Sequence, residues 1–254
     1  MLKRLRERGF EIEFLSHARA ILEADFPAAL SELDDVLSEI VIPITEIVGS
    51  GGGEAAGTQR MRRALAARGW LKGIFEITKT INGVTRESIS HEVDHVRQFD
   101  GGTVALEIEW NNKDPFFDRD LENFKRLHTE GAISVGVLVT RGSTLHAAMK
   151  SAILRFTRQH NIASFEDLER FEWTPTRRQR REIERRLHAT GSFADAWASH
   201  FVSDKFGEST THWRKLQDRV HRGVGNPCPL LLIGLSDQVL NFESGPLLDE
   251  PADV

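Results

Sequence analysis

Residues 91–120 read HEVDHVRQFDGGTVALEIEWNNKDPFFDRD. Val93 to Phe99 alternates apolar with polar residues, Asp100-Gly101-Gly102 tolerates positive φ, and Thr103 to Trp110 resumes in strand formers, the pattern of a β-hairpin. A period of two sends Val104, Leu106, Ile108 and Trp110 to one face and Thr103, Ala105, Glu107 and Glu109 to the other. Two carboxylates thus share a face, and Asp94 on the first strand comes beside Glu107 if the strands diverge at that end. A polar face carrying Glu-x-Glu is, in most strands, only the solvated side. The chemical alternative is three converging acids, which raise one another's pKa unless a cation lies between them. A hard ion such as Mg²⁺ takes oxygen ligands, is held by one or two carboxylates, and leaves positions for water or phosphate. Such an ion suits phosphodiester hydrolysis.

The flanking chain supplies more strands and helices. Trp70 to Ile81 carries Ile74, Phe75 and Ile77 at strand-like spacing, and Asn82-Gly83 before Val84 is a two-residue turn signal, so a second hairpin feeds the first. Gln59 to Arg68 reads as a helix with Thr58 as its N-cap; Arg60, Arg62, Arg63 and Arg68 could reach phosphate or simply solvate a face. The preceding Gly51-Gly52-Gly53 reads as a flexible joint and lacks the Gly-Lys-Ser/Thr ending of a nucleotide-binding loop. Leu30 to Val48 bears one apolar stripe that Pro43 must kink or break, and Glu11 to Phe26 suits an amphipathic helix or a strand entering one. After Asp114-Pro115, Phe117 to Glu130 reads as a helix burying Leu121, Phe124 and Leu127, and Ile133 to Thr140 as a buried strand. Strand, helix and strand in succession imply a crossover and a mixed sheet.

Asp94 followed by an apolar strand carrying Glu107-Ile108-Glu109 resembles the PD-(D/E)xK nuclease superfamily, specifically the BglII-like type II restriction endonucleases, with the BamHI type more distant. Further echoes are Val48-Gly49-Ser50, Gly57-Thr58-Gln59 and the helix ending at Trp70 upstream, and Val135 to Gly142 and Pro229 to Leu235 downstream. The resemblance implies an α/β fold with a restriction-endonuclease-like mixed central sheet flanked by helices. It implies that Asp94 and Glu107 bind Mg²⁺ together with the carbonyl of Ile108, and that Glu109 orients or deprotonates the attacking water. Asp100 is the alternative to Asp94, because this hairpin is longer than in BglII. Glu109 stands where the wider superfamily has Lys, as in the BamHI pattern. Gly142 to Gln159 occupies the place where BglII-like enzymes enter the major groove, so Arg141, Ser143, Thr144 and Lys150 are candidate DNA contacts, with His146, Met149 and Ser151 beside them.

The chain of 254 residues with 40% hydrophobic content is long enough for one large core, and we read 1–254 as a single nuclease domain. Residues 160–225 form a helical elaboration within it, and 246–254 a frayed acidic tail. The most basic run, Thr176 through Arg186, reads as a helix: Arg177, Arg178 and Arg181 suit DNA phosphates and guanine edges, whereas Glu182 and Glu184 interleave them as on a salt-bridged solvent face. Trp197, Phe201, Phe206 and Trp213 read as packing. A formal charge of −5 excludes indiscriminate coating of nucleic acid and leaves local basic patches. The single cysteine, Cys228, excludes an intrachain disulfide and a thiolate zinc cluster. No signal peptide or membrane-length apolar run is legible, so a cytoplasmic setting is expected. The expected protein is a restriction enzyme that cuts double-stranded DNA at a short palindromic site as a homodimer, paired with a cognate DNA methyltransferase. The competing readings are a repair or anti-plasmid nuclease of the same fold, or a DNA-binding module that has lost catalysis.

Overall fold

The computed structural model describes residues 1–49 and 55–243, and for Arg86 and Glu87 the backbone alone. The glycine joint at 51–53 and the tail at 246–254 lie outside the described residues. In chain order the elements are α1 (Lys3–Glu7), β1 (Glu11–Leu15), α2 (Ala18–Ala24), α3 (Pro27–Ser38), β2 (Ile42–Pro43), α4 (Ile44–Val48), α5 (Ala56–Ala66), β3 (Leu71–Ile81), β4 (Val84–Phe99), β5 (Gly102–Glu109) and α6 (Phe116–Thr129). They continue with β6 (Val135–Arg141), α7 (Ser143–Gln159), α8 (Phe165–Glu169), α9 (Arg177–Thr190), α10 (Phe193–Lys205), α11 (Trp213–Val220), β7 (Leu230–Leu235) and β8 (Leu240–Asn241).

Six strands form one mixed sheet in the order β1-β7-β6-β5-β4-β3, and β2 pairs with β8 in a small parallel sheet. β5, β6 and β7 run parallel, and the hairpins on one edge and β1 on the other are antiparallel. All seven residues of β6 are buried, as expected of a central strand covered on both faces. Val104, Leu106, Ile108 and Trp110 enter the larger core with side chains of α3, α7 and α10, whereas Ala105, Leu138 and Leu232 enter a second core under α6 and α11. Period-two alternation along β5 therefore decides which layer each residue meets.

Several local expectations match and some do not. Asn82 and Gly83 both have positive φ, 51° and 78°, the conformation of the turn that suits a tightly twisted hairpin. Pro43 ends a short strand rather than kinking a helix, because α3 has already stopped at Ser38. Thr58 is not the N-cap: α5 begins at Ala56 with Ala55 before it, and the Thr58 hydroxyl is buried without a hydrogen-bond partner. Trp197, Phe201, Phe206 and Trp213 are all buried, the first three in the larger core and Trp213 under the opposite face of the sheet.

Candidate active site

β4 is long enough to pair with two different neighbours, and the site lies where it changes company. Its pairing with β5 runs from Phe99↔Gly102 to His95↔Leu106 and stops there. Its pairing with β3 passes from Leu71↔Val96 to Gly73↔Val93, setting two residues of β4 against one of β3. That extra residue is a β-bulge over Asp94 and His95, a device that re-aims a side chain and ends local pairing. Asp94 is exposed at this divergence, and its backbone N–H donates to Glu107 Oε1 at 3.4 Å. Asp100 sits in the turn at the far end of the hairpin, before Gly102.

Glu107 and Glu109 leave β5 on the α6 side, and neither is solvated: they are 5% and 2% exposed. α6 adds a third acid that its sequence does not advertise. Asp120 looks like an ordinary helix carboxylate one turn past the start of α6, yet it is 1% exposed and its Oδ2 has no hydrogen-bond partner. Burial, followed by the charges of Asp120 and Asp94, pushes Glu107 up to about 10. Burial and Asp120 push Glu109 up to about 8, and burial also raises Asp120. The compensating charge comes from Arg119, whose Nε donates to Asp120 Oδ1 at 2.8 Å and whose Nη2 lies 3.6 Å from Glu109 Oε1. Asn112 Nδ2 donates to Glu109 Oε2 at 2.8 Å, and Thr140 Oγ1 donates to the Glu109 carbonyl at 2.7 Å. Glu109 is thus fixed at both side chain and backbone.

Three buried carboxylates and a fourth at the surface, with one guanidinium among them, would when ionised carry more negative charge than the site neutralises, so without a cation they hold protons. The donor set is all oxygen, and the unpaired Asp120 Oδ2 points to a missing counter-charge. The residues therefore fit a hard divalent cation. The acids' oxygens do not all lie within 4.8 Å of one another, a closeness that only His146, Glu208 and His212 reach as a group of three among the described residues. Ile108 turns its side chain into the larger core, so its backbone alone could serve the site.

The candidate DNA contacts divide sharply. Arg141 is 0% exposed: its Nε donates to the Trp110 carbonyl at 2.8 Å, and its Nη2 donates to Thr210 Oγ1 and the Thr211 carbonyl, each at 2.7 Å. It ties β5, β6 and the 210–211 segment together and presents nothing to a phosphate, which corrects the sequence-based expectation. Met149 is likewise fully buried. Ser143 Oγ donates to Glu11 Oε1 at 2.8 Å, and Thr144 Oγ1 accepts the Asp237 N–H at 3.3 Å, although both residues are exposed. Lys150, Arg177, Arg178 and Arg181 are exposed. Arg60 and Arg68 are engaged by Glu46 and Asp35.

A mixed sheet flanked by helices, with buried acids where its central hairpin opens, defines an α/β protein of the restriction-endonuclease-like class. Residues 10–235 match the family described as Restriction endonuclease BglII/BglIII, and the chain belongs to that family. It is accordingly a site-specific deoxyribonuclease, a hydrolase acting on double-stranded DNA, from a family that generally uses a divalent metal ion. No curated protein was found to match the chain. No helix of the described residues is long and apolar enough to cross a membrane.

Proposed function

We propose that the protein is a type II restriction endonuclease that hydrolyses double-stranded DNA at one short palindromic site with Mg²⁺, acting in the cytoplasm as a homodimer whose partner activity is a cognate DNA methyltransferase. The observation that carries this reading is the near-complete burial of Glu107, Glu109 and Asp120 against Asp94, an arrangement that costs stability and has no structural return of its own. Asp94, Glu107 and the Ile108 carbonyl would hold the ion, which when bound supplies charge neutralisation and acidifies an attacking water. Glu109, held by Asn112, would be the base for the attacking water, a role open to it only in the ionised form that the bound cation favours. Arg119 keeps Asp120 and Glu109 in place while the phosphate approaches. Two strands of a palindrome call for two such sites related by a two-fold axis.

Long unmethylated duplex DNA, incubated with the purified protein in Mg²⁺ or in EDTA and with Glu107→Ala in parallel, tests the reading. Discrete fragments that require Mg²⁺, vanish in the variant and share one terminal sequence are expected. Fragments of every length would overturn the palindromic site. Cutting that persists in Glu107→Ala would overturn the assignment of the acids.

A further inference from the structure

His146 in the first turn of α7, His212 just before α11, and Glu208 form the second cluster of chemically capable side chains. Their imidazole rings stack with centroids 4.0 Å apart and planes 11° from parallel. Glu208 Oε1 lies 3.5 Å from His146 Nε2, and Glu208 Oε2 lies 3.8 Å from His212 Nε2. An ion with bonds of about 2.0–2.2 Å in tetrahedral array separates its ligand atoms by about 3.3–3.6 Å, so these side chains already stand near coordination spacing. The independent sign is His212: it is 2% exposed, its Nε2 has no hydrogen-bond partner, and the distance to Glu208 is too long to supply one. A desolvated, unpartnered imidazole nitrogen facing a carboxylate is costly unless something binds it.

We infer that His146, Glu208 and His212 form a binding site for a borderline divalent transition ion of the Zn²⁺ or Co²⁺ class, separate from the carboxylate site. Two imidazoles and one carboxylate select such ions over Mg²⁺, and three protein ligands leave a position open to water on the exposed Glu208 side. Loading requires the stacked rings to tilt and Arg214, which now holds Glu208, to release it. Arg141 Nη1 lies 3.3 Å from His146 Nδ1, where a supporting acceptor would normally be. The ion is therefore held reversibly and leaves on dialysis against a chelator. The site also borders the catalytic loop, because the Thr211 N–H donates to the Asn112 carbonyl at 2.8 Å and the Asn112 side chain holds Glu109.

The test is titration of the full-length, chelator-treated protein with Co²⁺, followed by its visible ligand-field absorption, with Zn²⁺ as competitor. In wild type and in Glu107→Gln alike, the intense band of a four-coordinate ion is expected to saturate at one equivalent, any Co²⁺ at the carboxylates adding only the weak absorption of an oxygen-ligated ion. In His146→Ala and Glu208→Gln the affinity is expected to fall by at least about tenfold and the band to disappear. Glu208 is exposed, so Glu208→Gln leaves folding intact, which its circular dichroism melt verifies. A band that is missing in wild type, that survives in Glu208→Gln, or that is lost in Glu107→Gln would overturn the assignment.

Discussion

Glu107 lies within hydrogen-bond reach of the Asp94 backbone and within the fields of Asp120 and Asp94, and it is pushed from 4.5 to about 10. An acid raised in this way binds more protons folded than unfolded, so its contribution is harmless below about pH 4.5 and erodes stability as pH climbs toward the folded value. Glu109 acts in the same direction up to about 8. The metal-free protein should therefore melt at lower temperature at pH 8.5 than at pH 7. Glu107→Gln keeps the shape, removes the charge, and should stabilise the metal-free protein at the higher pH by on the order of 1–3 kcal/mol while abolishing cleavage. Thermal melts at the two pH values check this, and a variant less stable than its parent at high pH would sink it. His212 has the opposite sign. Burial, then His146 and Arg141, lower it from 6.5 to about 4, so the unfolded chain binds more protons in that window and stability falls as pH drops below about 6.5. In His212→Gln the acid limb of the stability curve should be shallower. At this scale alternation placed Glu107 and Glu109 on one face of β5, and the family resemblance, not alternation, singled them out together with Asp94. Asp120 and Arg141 escaped it, because burial of the one depends on how deeply α6 lies on the sheet, and burial of the other on a segment about seventy residues away in the chain.

The bulge in β4 and the seating of α6 turn a hairpin into a site. The face assignment of β5 was legible from its period of two, and so was the turn at Asn82-Gly83; the bulge was not, since nothing in Val93-Asp94-His95-Val96 distinguishes two residues against one from regular pairing. The seating of α6 depends on Gly136 in β6. A methyl group there would come within 2.5 Å of the Phe124 ring, closer than real contacts allow, and 3.1 Å from Leu230, so the ring must shift and press on the helix that carries it. Gly136→Ala should cost about 1–3 kcal/mol and, by moving Asp120 and Arg119 away from Glu109, lower kcat more than it raises KM. Steady-state cleavage kinetics beside a denaturant melt would separate the two effects. Reduced stability with unchanged kcat would show that α6 is not coupled to the acids. Arg141 is the other junction between elements. Removing it leaves the Trp110 and Thr211 carbonyls unpaired, and Arg141→Ala should destabilise by about 1–3 kcal/mol for each rather than weaken DNA binding selectively.

At the scale of the whole molecule, a net charge of −5 must still accommodate a polyanion. Several arginines near the site and around α5 are engaged within the protein: Arg60 on Glu46, Arg68 on Asp35, Arg97 on Glu32, Arg119 on Asp120. On α9, Arg185 and Arg186 share Glu182, the salt-bridged arrangement that the interleaved acids suggested. Arg177, Arg178 and Arg181 at the start of the same helix are exposed. If its first turns meet the DNA backbone, each arginine removed from a phosphate should reduce the slope of log affinity against log salt by about 0.9. The sequence that is cut should not change, because arginines on phosphates position the protein without reading bases. Filter binding of the Arg177→Ala, Arg178→Ala, Arg181→Ala triple variant across a salt series measures the slope, and sequencing of fragment ends measures the specificity. A slope equal to that of the parent would place α9 off the DNA, and electrostatic attraction would then have to come from other surface cations such as Lys150.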